Sequence, residues 1–348
     1  MGSDAVVSVD QAVPRLPASL GLDRADPALV ESIGGGLVKV EALLRTVVRS
    51  DVEFVNEAAT HLVKAGGKRF RPLFTLLSAA VSGDVTDEVI VAAAAVELVH
   101  LATLYHDDVM DEATMRRGEA SVNARWDNTI AILTGDFLFA HASGLVADLG
   151  SDAARIIAET FAELVTGQMR ETRGPAPDED PVAHYLTVIA EKTGSLIATS
   201  GRYGGMFSGA PAEHIGALHR FGELIGTAFQ ISDDIIDIAS PADESGKTPG
   251  TDLREGVLTL PMLYALSPEY AGGEPGPRLR ELLAAPITDD DLVEEALVLL
   301  RKSPGLEQAV RTLAEYADRA RAELKVLPES PAREALDMLA RYVVARTR

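Results

Sequence analysis

The chain contains no cysteine, and aromatic residues make up only 5% of it. The missing cysteine excludes a disulfide framework and a thiolate nucleophile, and it leads us to expect a cytoplasmic protein. Ala, Leu and Val are abundant instead, a composition that favours packed helices over sheets. With 47% apolar residues over 348 positions, the chain can bury a substantial core.

Positive charge is also in short supply, since the formal net charge is −21. This balance argues against a broad nucleic-acid-binding surface. The field of the whole molecule would also repel an anionic substrate. Any such substrate must therefore be held by local clusters of cations.

Long uninterrupted apolar runs are missing as well. No run of about 18 or more apolar residues occurs, so we predict no membrane span. Residues 1–22 lack the basic start and apolar core of a secretory signal. Residues 1–25 mix Pro, Ser and Asp, which predicts a loosely ordered segment ahead of a single domain at 26–348.

Within that domain apolar residues recur with helical spacing, and alternating strand patterns are absent. The spacing predicts one all-α domain of roughly a dozen helices. The helical segments are expected at about 28–50, 52–64, 70–82, 85–112, 127–149, 151–172, 181–208, 212–239, 258–267, 289–302, 304–326 and 330–346.

Two copies of the acidic signature Asp-Asp-x-x-Asp are the most informative feature that is present. Each copy ends a long apolar run, and the six carboxylates are Asp107, Asp108, Asp111, Asp233, Asp234 and Asp237. Residues three and four apart share a helix face, so each copy projects its carboxylates together. Neither copy contains a basic residue that would offset the repulsion. A multivalent metal is the natural counter-charge, and two facing copies can hold several ions.

Basic residues stand where such acidic groups need complements. The stretch GGKRFRP at 66–72 places flexible glycines before three cations and a proline that can open a helix. Such a helix start is suited to holding phosphate. The other cations near the acidic copies are Arg116, Arg117, Lys192 and Lys247.

Each feature taken alone has a simpler explanation. Two arginines after a helix are usually a solvated charge pair favoured by the helix dipole. Lys192 alone would be a surface residue, and His100 alone a satisfied core histidine. One acidic copy is often an exposed acidic face. Two acidic copies on apolar helices, combined with four basic clusters, favour a site for metal and phosphate.

These motifs in this order resemble the trans-isoprenyl diphosphate (polyprenyl) synthases, over about residues 56–346. The resemblance implies the isoprenoid synthase type I fold, an all-α bundle around a central cavity, usually as a homodimer. It implies three Mg²⁺ ions that grip the diphosphate of an allylic substrate. The matching metal ligands are Asp107, Asp111 and Asp233, supported by Asp108, Asp234, Asp237 and, in the stretch GQMRE, Glu171.

The resemblance also implies two diphosphate sites. The isopentenyl diphosphate site matches Lys68, Arg71, His100 and Arg117. The allylic site matches Arg116, Lys192 and Lys247, and the reacting centre matches Thr193 and Gln230. Many members carry EGKxTLP after the second acidic copy, whereas Val257 stands in EGVLTLP here, so one phosphate contact of some relatives is missing or replaced.

The implied reaction is prenyl transfer. Ionisation of the allylic substrate leaves a carbocation, which requires a dry pocket. The double bond of isopentenyl diphosphate attacks it, and the released diphosphate then takes the proton that is lost.

Small residues precede the first acidic copy. Ala102 and Thr103 lie one turn before Asp107, where short-chain members of the family carry a bulky floor. A tunnel along the preceding twenty or so residues would be roughly 30 Å long, which predicts a product of about C35 to C50 and transient membrane contact for its release. Close helix packing is the alternative explanation of the small residues, and a tunnel could also be blocked from another direction by Tyr105, Phe137 or Phe139.

Four other functions share part of this pattern. A geranylgeranyl or farnesyl diphosphate synthase differs only in product length. A class I terpene cyclase would have a different second metal motif and no second diphosphate site. A non-catalytic synthase subunit would have lost its aspartates. A di-iron bundle is disfavoured because all-oxygen acidic ligands favour Mg²⁺ over iron.

Overall fold

The computed structural model describes residues 22, 24–239, 249–268 and 276–347. Residues 1–21 and 23, most of the segment predicted to be loosely ordered, lie outside the described residues, and so does Lys247. The described chain is helical almost throughout, which confirms the predicted all-α class.

The predicted helical segments correspond closely to the observed ones. The first half contains α1 Pro27–Val47, α2 Glu53–Lys64, α3 Phe70–Ser82, α4 Asp87–Met110, α5 Val122–Arg125, α6 Asn128–Asp148 and α7 Ser151–Arg173. The second half contains α8 Pro181–Ile189, α9 Ser195–Phe207, α10 Ala212–Ala239, α11 Thr251–Glu255, α12 Leu260–Leu266, α13 Gly276–Leu282, α14 Asp290–Lys302, α15 Pro304–Glu323 and α16 Pro331–Ala345.

Two features depart from a plain string of helices. A hairpin of two short strands, β1 Met115–Arg116 and β2 Glu119–Ala120, follows α4. Its turn residues Arg117 and Gly118 both have positive φ, as a two-residue hairpin turn of this twist requires. The strands are too short to show an alternating pattern in the sequence. The second feature is a π-helical segment, Ala190–Gly194, between α8 and α9.

Helix α4 lies at the centre of the molecule and ends in the first acidic copy. It begins at the cap Thr86, whose side chain accepts a hydrogen bond from the Val89 amide. Ala92 to Ala95 are fully buried, and α4 packs against α3, α6 and α9. Small side chains let these neighbours approach closely, so close packing explains this stretch of alanines.

Helix α10 carries the second acidic copy and is set by an equally close contact with α9. A Cβ added at Gly201 of α9 would lie 2.5 Å from the Leu218 carbonyl oxygen of α10. Only glycine allows backbones to approach so closely. The packing of α9 against α3, α4 and α10 therefore fixes where both acidic helix ends lie.

Two described helices, α4 and α6, are long and apolar enough to cross a membrane when judged by length and composition alone. The apolar window of α4 is 72% buried inside the protein, as in the core helix of a globular domain. That of α6 is only 33% buried, so much of its apolar surface faces outward. The predicted lack of a membrane span stays a prediction.

Candidate active site

The first acidic copy lies at the carboxyl end of α4, where the chain turns into the β1–β2 hairpin. The Asn123 side-chain amide donates to the carbonyl oxygens of Asp108 and Ala113, both at 3.0 Å. This clamp closes the loop over the helix end. Asp107 is partly buried, while Asp111 is exposed.

Asp108 and Arg116 form a tight pair beside this helix end. Asp108 is fully buried, and its Oδ1 lies 2.6 Å from Arg116 Nε. Its Oδ2 is also buried but has no hydrogen-bond partner among the described residues. Arg116 is thus an internal counter-ion rather than a solvated charge, and the hairpin is what turns it back toward α4.

The second acidic copy is held by three different sets of partners. Asp233 Oδ1 lies 2.7 Å from Arg346 Nη2. Buried Asp234 accepts hydrogen bonds from the Tyr185 hydroxyl and from Gln230 Nε2. Asp237 accepts from the backbone amides that open α11, at 3.2 and 3.3 Å.

The two acidic copies face one another across a single cavity. Asp107 and Asp233 both line a space of about 320 Å³, together with the predicted site residues Lys68, Arg71, His100, Thr103, Arg117, Lys192, Thr193 and Gln230. Glu255 lies near the outer carboxylates of both copies. Desolvation raises its pKa, and the charges of Asp111 and Asp237 add to this rise. The structure therefore brings together acidic and basic residues that are far apart in the sequence.

The carboxylates suit a hard cation that keeps part of its own shell. Desolvation, opposed by the charge of Lys192 and assisted by that of Asp111, raises the pKa of Asp107 to about 6. Desolvation also raises the pKa of Asp234 well above its ordinary value. Both carboxyls thus lack sufficient positive charge. Within the described residues no three His, Asp or Glu side chains form a ready-made metal site. Mg²⁺ completes its shell with water and substrate phosphate, so this open arrangement of oxygens fits it.

The cation side of the cavity is organised by Glu97, which is only 1% exposed. Glu97 Oε1 lies 2.9 Å from Arg69 Nη1 and 4.0 Å from Arg117 Nη2. Arg117 also donates to the Gly66 carbonyl oxygen, and a Cβ at Gly67 would lie 2.8 Å from its guanidinium carbon. The glycines of the GGKRFRP stretch therefore make room for Arg117.

Arg71 and His100 complete this positive wall. Desolvation lowers the pKa of Arg71 to about 10, and its buried Nε has no partner among the described residues. Desolvation and the surrounding arginines hold the pKa of His100 well below its usual value, so its imidazole is neutral near pH 7. A buried cluster with an unpartnered guanidinium nitrogen is prepared for an anion such as a diphosphate.

Lys192 and Thr193 lie in the π-helical segment, a distortion that often marks functional positions. A Cβ at Gly167 of α7 would lie 2.7 Å from the Lys192 amide nitrogen, so α7 packs directly on this segment. The contact places Glu171 Oε2 2.5 Å from Lys192 Nζ. Thus Lys192 is a partner of Glu171 inside the site, and not a free surface residue.

Comparisons with known proteins agree with this geometry. The family model described as "Polyprenyl synthetase" matches residues 52–300. A nonaprenyl diphosphate synthase of Mycobacterium tuberculosis is 56% identical over 339 residues, covering 95% of this chain and 99% of that protein. The chain belongs to the polyprenyl synthetase family.

Solved structures support the same membership. A geranylgeranyl pyrophosphate synthase from Corynebacterium glutamicum, complexed with calcium and isoprenyl diphosphate, aligns with a TM-score of 0.84 at 52% identity. The alignment covers 92% of this chain and 98% of that one. A decaprenyl diphosphate synthase from Rhodobacter capsulatus aligns with a TM-score of 0.82 at 35% identity, covering 92% and 99%. This polyprenyl synthetase is therefore an enzyme that transfers prenyl groups, and the alternative of a di-iron bundle is wrong.

A second, largely apolar cavity of about 460 Å³ adjoins the first in this polyprenyl synthetase. The two share four lining residues, Thr103, Asp107, Leu164 and Gln168. Phe161 lines the second cavity and stacks on Phe139, with ring centres 4.2 Å apart. The outer rim includes Met110, Val165 and Met169, all exposed.

The two predicted chain-length residues differ in their placement. Thr103 lines both cavities, and its hydroxyl donates to the His100 carbonyl oxygen at 2.8 Å. Ala102 is fully buried and lines neither of them. Thr103 lies one turn before Asp107 on the same face of α4, whereas Ala102 is packed in the hydrophobic core of the helix bundle.

The three aromatic residues considered as obstacles also lie in different places. Tyr105 is buried and points toward α2, where its hydroxyl donates to the Ala58 carbonyl oxygen at 2.7 Å. Phe137 contacts His141 on its own helix. Only Phe139, through its stacking on Phe161, lies next to the apolar cavity.

Sequence reasoning missed four residues of this site. The sequence marks Glu97 as a lone acid inside an apolar run, and Gln168 lies in the GQMRE stretch that contains Glu171. No sequence pattern marks Tyr185 or Arg346 as a site residue. They come from α8 and from the end of α16, and only the packing of the bundle brings them to the second acidic copy.

Proposed function

We propose that this polyprenyl synthetase is a Mg²⁺-dependent enzyme that condenses isopentenyl diphosphate with an allylic diphosphate to give a linear all-trans polyprenyl diphosphate. The observation that carries the proposal is the shared cavity, whose wall contains the leading aspartate of each acidic copy and five cations, Lys68, Arg69, Arg71, Arg117 and Lys192. Acidic groups on one side and cations on the other provide separate places for two diphosphates.

Asp107, Asp111 and Asp233 would hold Mg²⁺, three ions in all, with Asp108, Asp234, Asp237 and Glu171 around them. Bound Mg²⁺ would neutralise the negative charge that develops on the departing diphosphate. Tyr185 and Gln230 fix the Asp234 carboxylate, and Arg116 fixes that of Asp108. These partners orient oxygens that would otherwise rotate.

The isopentenyl diphosphate would be held by Lys68, Arg71 and Arg117, with His100 as a neutral hydrogen-bond donor. Glu97 positions this group through Arg117 and the neighbouring Arg69. Arg116, Lys192 and Lys247 would bind the allylic diphosphate. Lys192 is already beside the acidic wall because of its pair with Glu171.

The apolar cavity would receive the prenyl chain and keep water away from the allylic cation. Leu164 and Phe161 form its wall, and the Thr103 hydroxyl donates its hydrogen bond to the His100 carbonyl oxygen of its own helix. Carbon C4 of isopentenyl diphosphate bonds to C1 of the allylic group. The proton lost from C2 would pass to an oxygen of the released diphosphate, held near Lys192 and Thr193.

We propose a product of about C35 to C50. The similarity to a nonaprenyl and a decaprenyl diphosphate synthase favours this length. A geranylgeranyl product is the second candidate, favoured by the similar Corynebacterium structure and by the Phe139–Phe161 stack against the apolar cavity.

A homodimer would complete the apolar cavity. Its rim is exposed and continues onto α6, because His106 lines the cavity and contacts the Ile132 carbonyl oxygen. Leu133 is 58% exposed and Met169 68% exposed, a large apolar surface for a free monomer. A second copy over α6 and α7 would exclude water from the prenyl chain.

The enzyme would work in the cytoplasm and touch the membrane only transiently, when an apolar product leaves. Cell fractionation tests this, since enzyme found only in washed membranes would contradict it.

The decisive experiment incubates the purified full chain with labelled isopentenyl diphosphate and geranyl, farnesyl or geranylgeranyl diphosphate, with and without Mg²⁺. Linear products longer than the primer, formed only with Mg²⁺, are expected. Cyclic hydrocarbons would favour a terpene cyclase. No turnover with any primer would favour a non-catalytic subunit. Asp107→Asn provides the control for contaminating activity.

A further inference from the structure

Arg346, which directly follows α16, lies against the second acidic copy with four contacts. Its Nη2 is 2.7 Å from Asp233 Oδ1 and donates to the Phe229 carbonyl oxygen at 2.9 Å. Its Nε donates to Ser232 Oγ at 2.7 Å. Its guanidinium carbon lies 4.0 Å from the centre of the Phe229 ring.

These contacts fix the guanidinium rather than tether it loosely. The Arg346 side chain is only 10% exposed. Ser232 is fully buried, and its hydroxyl donates a hydrogen bond to the Val343 carbonyl oxygen of α16 at 2.9 Å. The ends of α10 and α16 are therefore joined through one hydrogen-bonded network, with Asp233 at its edge.

Two members of this network, Phe229 and Asp233, line the cavity, and Asp233 is the one that carries a charge. A carboxylate on a helix surface samples several rotamers, and each one presents its oxygens differently. A planar, charge-assisted contact to Oδ1 selects one orientation and reduces the ordering cost of binding a ligand. Because three other contacts hold the guanidinium, it can stay in place when a ligand arrives.

We propose that Arg346 is a positioning residue, which sets the Asp233 carboxylate for binding a divalent cation together with a diphosphate. The inference rests on the proposed function for the identity of the ligand. It assigns a role in the site to a residue more than one hundred positions away from Asp233 in the chain, and it makes the α16 end part of the binding apparatus.

The test measures binding without turnover, by titrating Mn²⁺ with inorganic diphosphate into the folded protein and following calorimetry or the Mn²⁺ resonance signal. Arg346→Gln is expected to weaken binding about 10-fold, the usual loss for a group that orients a metal ligand. Arg346→Lys keeps one charge but not the planar fork, so an intermediate loss is expected. If Arg346→Gln does not fold, the affinity of Arg346→Lys for Mn²⁺ with diphosphate tests the proposal instead.

Arg341→Gln is the matched control. Arg341 is on α16 and pairs with Asp337 at 2.6 Å, and Asp337, unlike Asp233, lines neither cavity of the site. Its replacement removes the same charge and is expected to change binding by less than about two-fold. An equal loss of Mn²⁺–diphosphate affinity in Arg341→Gln and Arg346→Gln would show that only the overall charge matters, and this result would overturn the proposal.

A double-mutant cycle with Asp233→Asn shows whether the two residues act together. In the Asp233→Asn protein, Arg346→Gln should add less than about two-fold, since its partner is already gone. Full additivity would contradict the proposal, and so would an unchanged Mn²⁺–diphosphate affinity in folded Arg346→Gln. Failure of the proposed function is separate, because it would appear as no prenyl product from the unmodified protein.

Discussion

Single side chains in this polyprenyl synthetase show that binding capacity is obtained at the expense of stability. Carboxylates such as Asp107 are partly buried without full charge compensation, and the buried Nε of Arg71 has no hydrogen-bond partner among the described residues. In the ligand-free protein, keeping such a charged group away from water costs free energy. Binding of a ligand of opposite charge lowers that cost. The variants Asp107→Asn and Glu97→Gln distinguish the effect of such a group on stability from its effect on substrate binding and turnover.

Asp107→Asn should stabilise the protein in the absence of metal. The folded-state pKa of Asp107 is raised to about 6 from an ordinary 3.8, so the folded state binds its proton more tightly than the unfolded state. Stability is therefore lost as pH rises from about 4 through about 6, and the whole penalty applies above that. Asparagine removes it, which should raise the free energy of unfolding by about 1–2 kcal/mol at about pH 7.5 and by less at about pH 5.

Urea unfolding with a chelator present, at both pH values, measures this difference. Asp111→Asn is the control, because Asp111 is exposed and its replacement should change stability by less than about 0.5 kcal/mol. Prenyl transfer by Asp107→Asn should fall on the order of 100-fold or more. A destabilised Asp107→Asn would show that the carboxylate is already well compensated.

Glu97→Gln should damage both stability and isopentenyl diphosphate binding. The change leaves Arg69 and Arg117 without their shared buried carboxylate, which should cost about 3 kcal/mol. The KM for isopentenyl diphosphate should rise about 10-fold, with a smaller change for the allylic substrate. Glu41→Gln is the control, because Glu41 pairs with Arg69 but not with Arg117. Equal effects on both substrates would contradict the assignment of this cluster.

The direction in which each side chain leaves the helix axis determines which residues of α4 line the cavity. Ala102 and Thr103 are adjacent in the chain, yet Thr103 lines the apolar cavity, whereas Ala102 is packed in the hydrophobic core. The cavity beside Thr103 is bounded on α7 by Phe161, which is held by its stack on Phe139. Product length should therefore depend on the distance between α4 and α7 at this level.

Thr103→Phe should shorten the longest product, and Phe161→Ala should lengthen it, as measured by chromatography of the dephosphorylated prenols. The first change fills the cavity and the second removes a wall. Ala102→Phe forces a large side chain between packed helices, so its main effect should be a loss of about 1–3 kcal/mol of stability. An unchanged product distribution in both Thr103→Phe and Phe161→Ala would show that the prenyl chain runs elsewhere.

In the part of the chain that the structure describes, one side of the apolar cavity is open to solvent. The exposed apolar surface of α6 and α7 lies at that opening, which is the basis for a dimer in which each copy seals the other. Carbocation chemistry makes such a seal useful, because water would otherwise quench the intermediate.

Leu133→Asp should split the dimer, because a charge placed in an apolar interface must be desolvated without a partner. Light scattering after size-exclusion chromatography measures the mass, and turnover should fall together with it. Val38→Asp is the control, since Val38 is 55% exposed on α1 and should tolerate the charge. A native protein of monomeric mass at assay concentration would contradict the dimer directly.

Residue spacing alone was sufficient for the helical class, for both acidic copies and for most of the cations. These properties are local: a helix places residues three and four apart on one face, and two carboxylates there require a counter-charge wherever the helix lies. Tertiary structure decided the rest. It paired Arg116 with Asp108, placed Arg346 on Asp233 and turned Glu97 from an interruption in an apolar run into the support of the cationic wall. Such partners come from distant elements, and their meeting depends on how the helices pack.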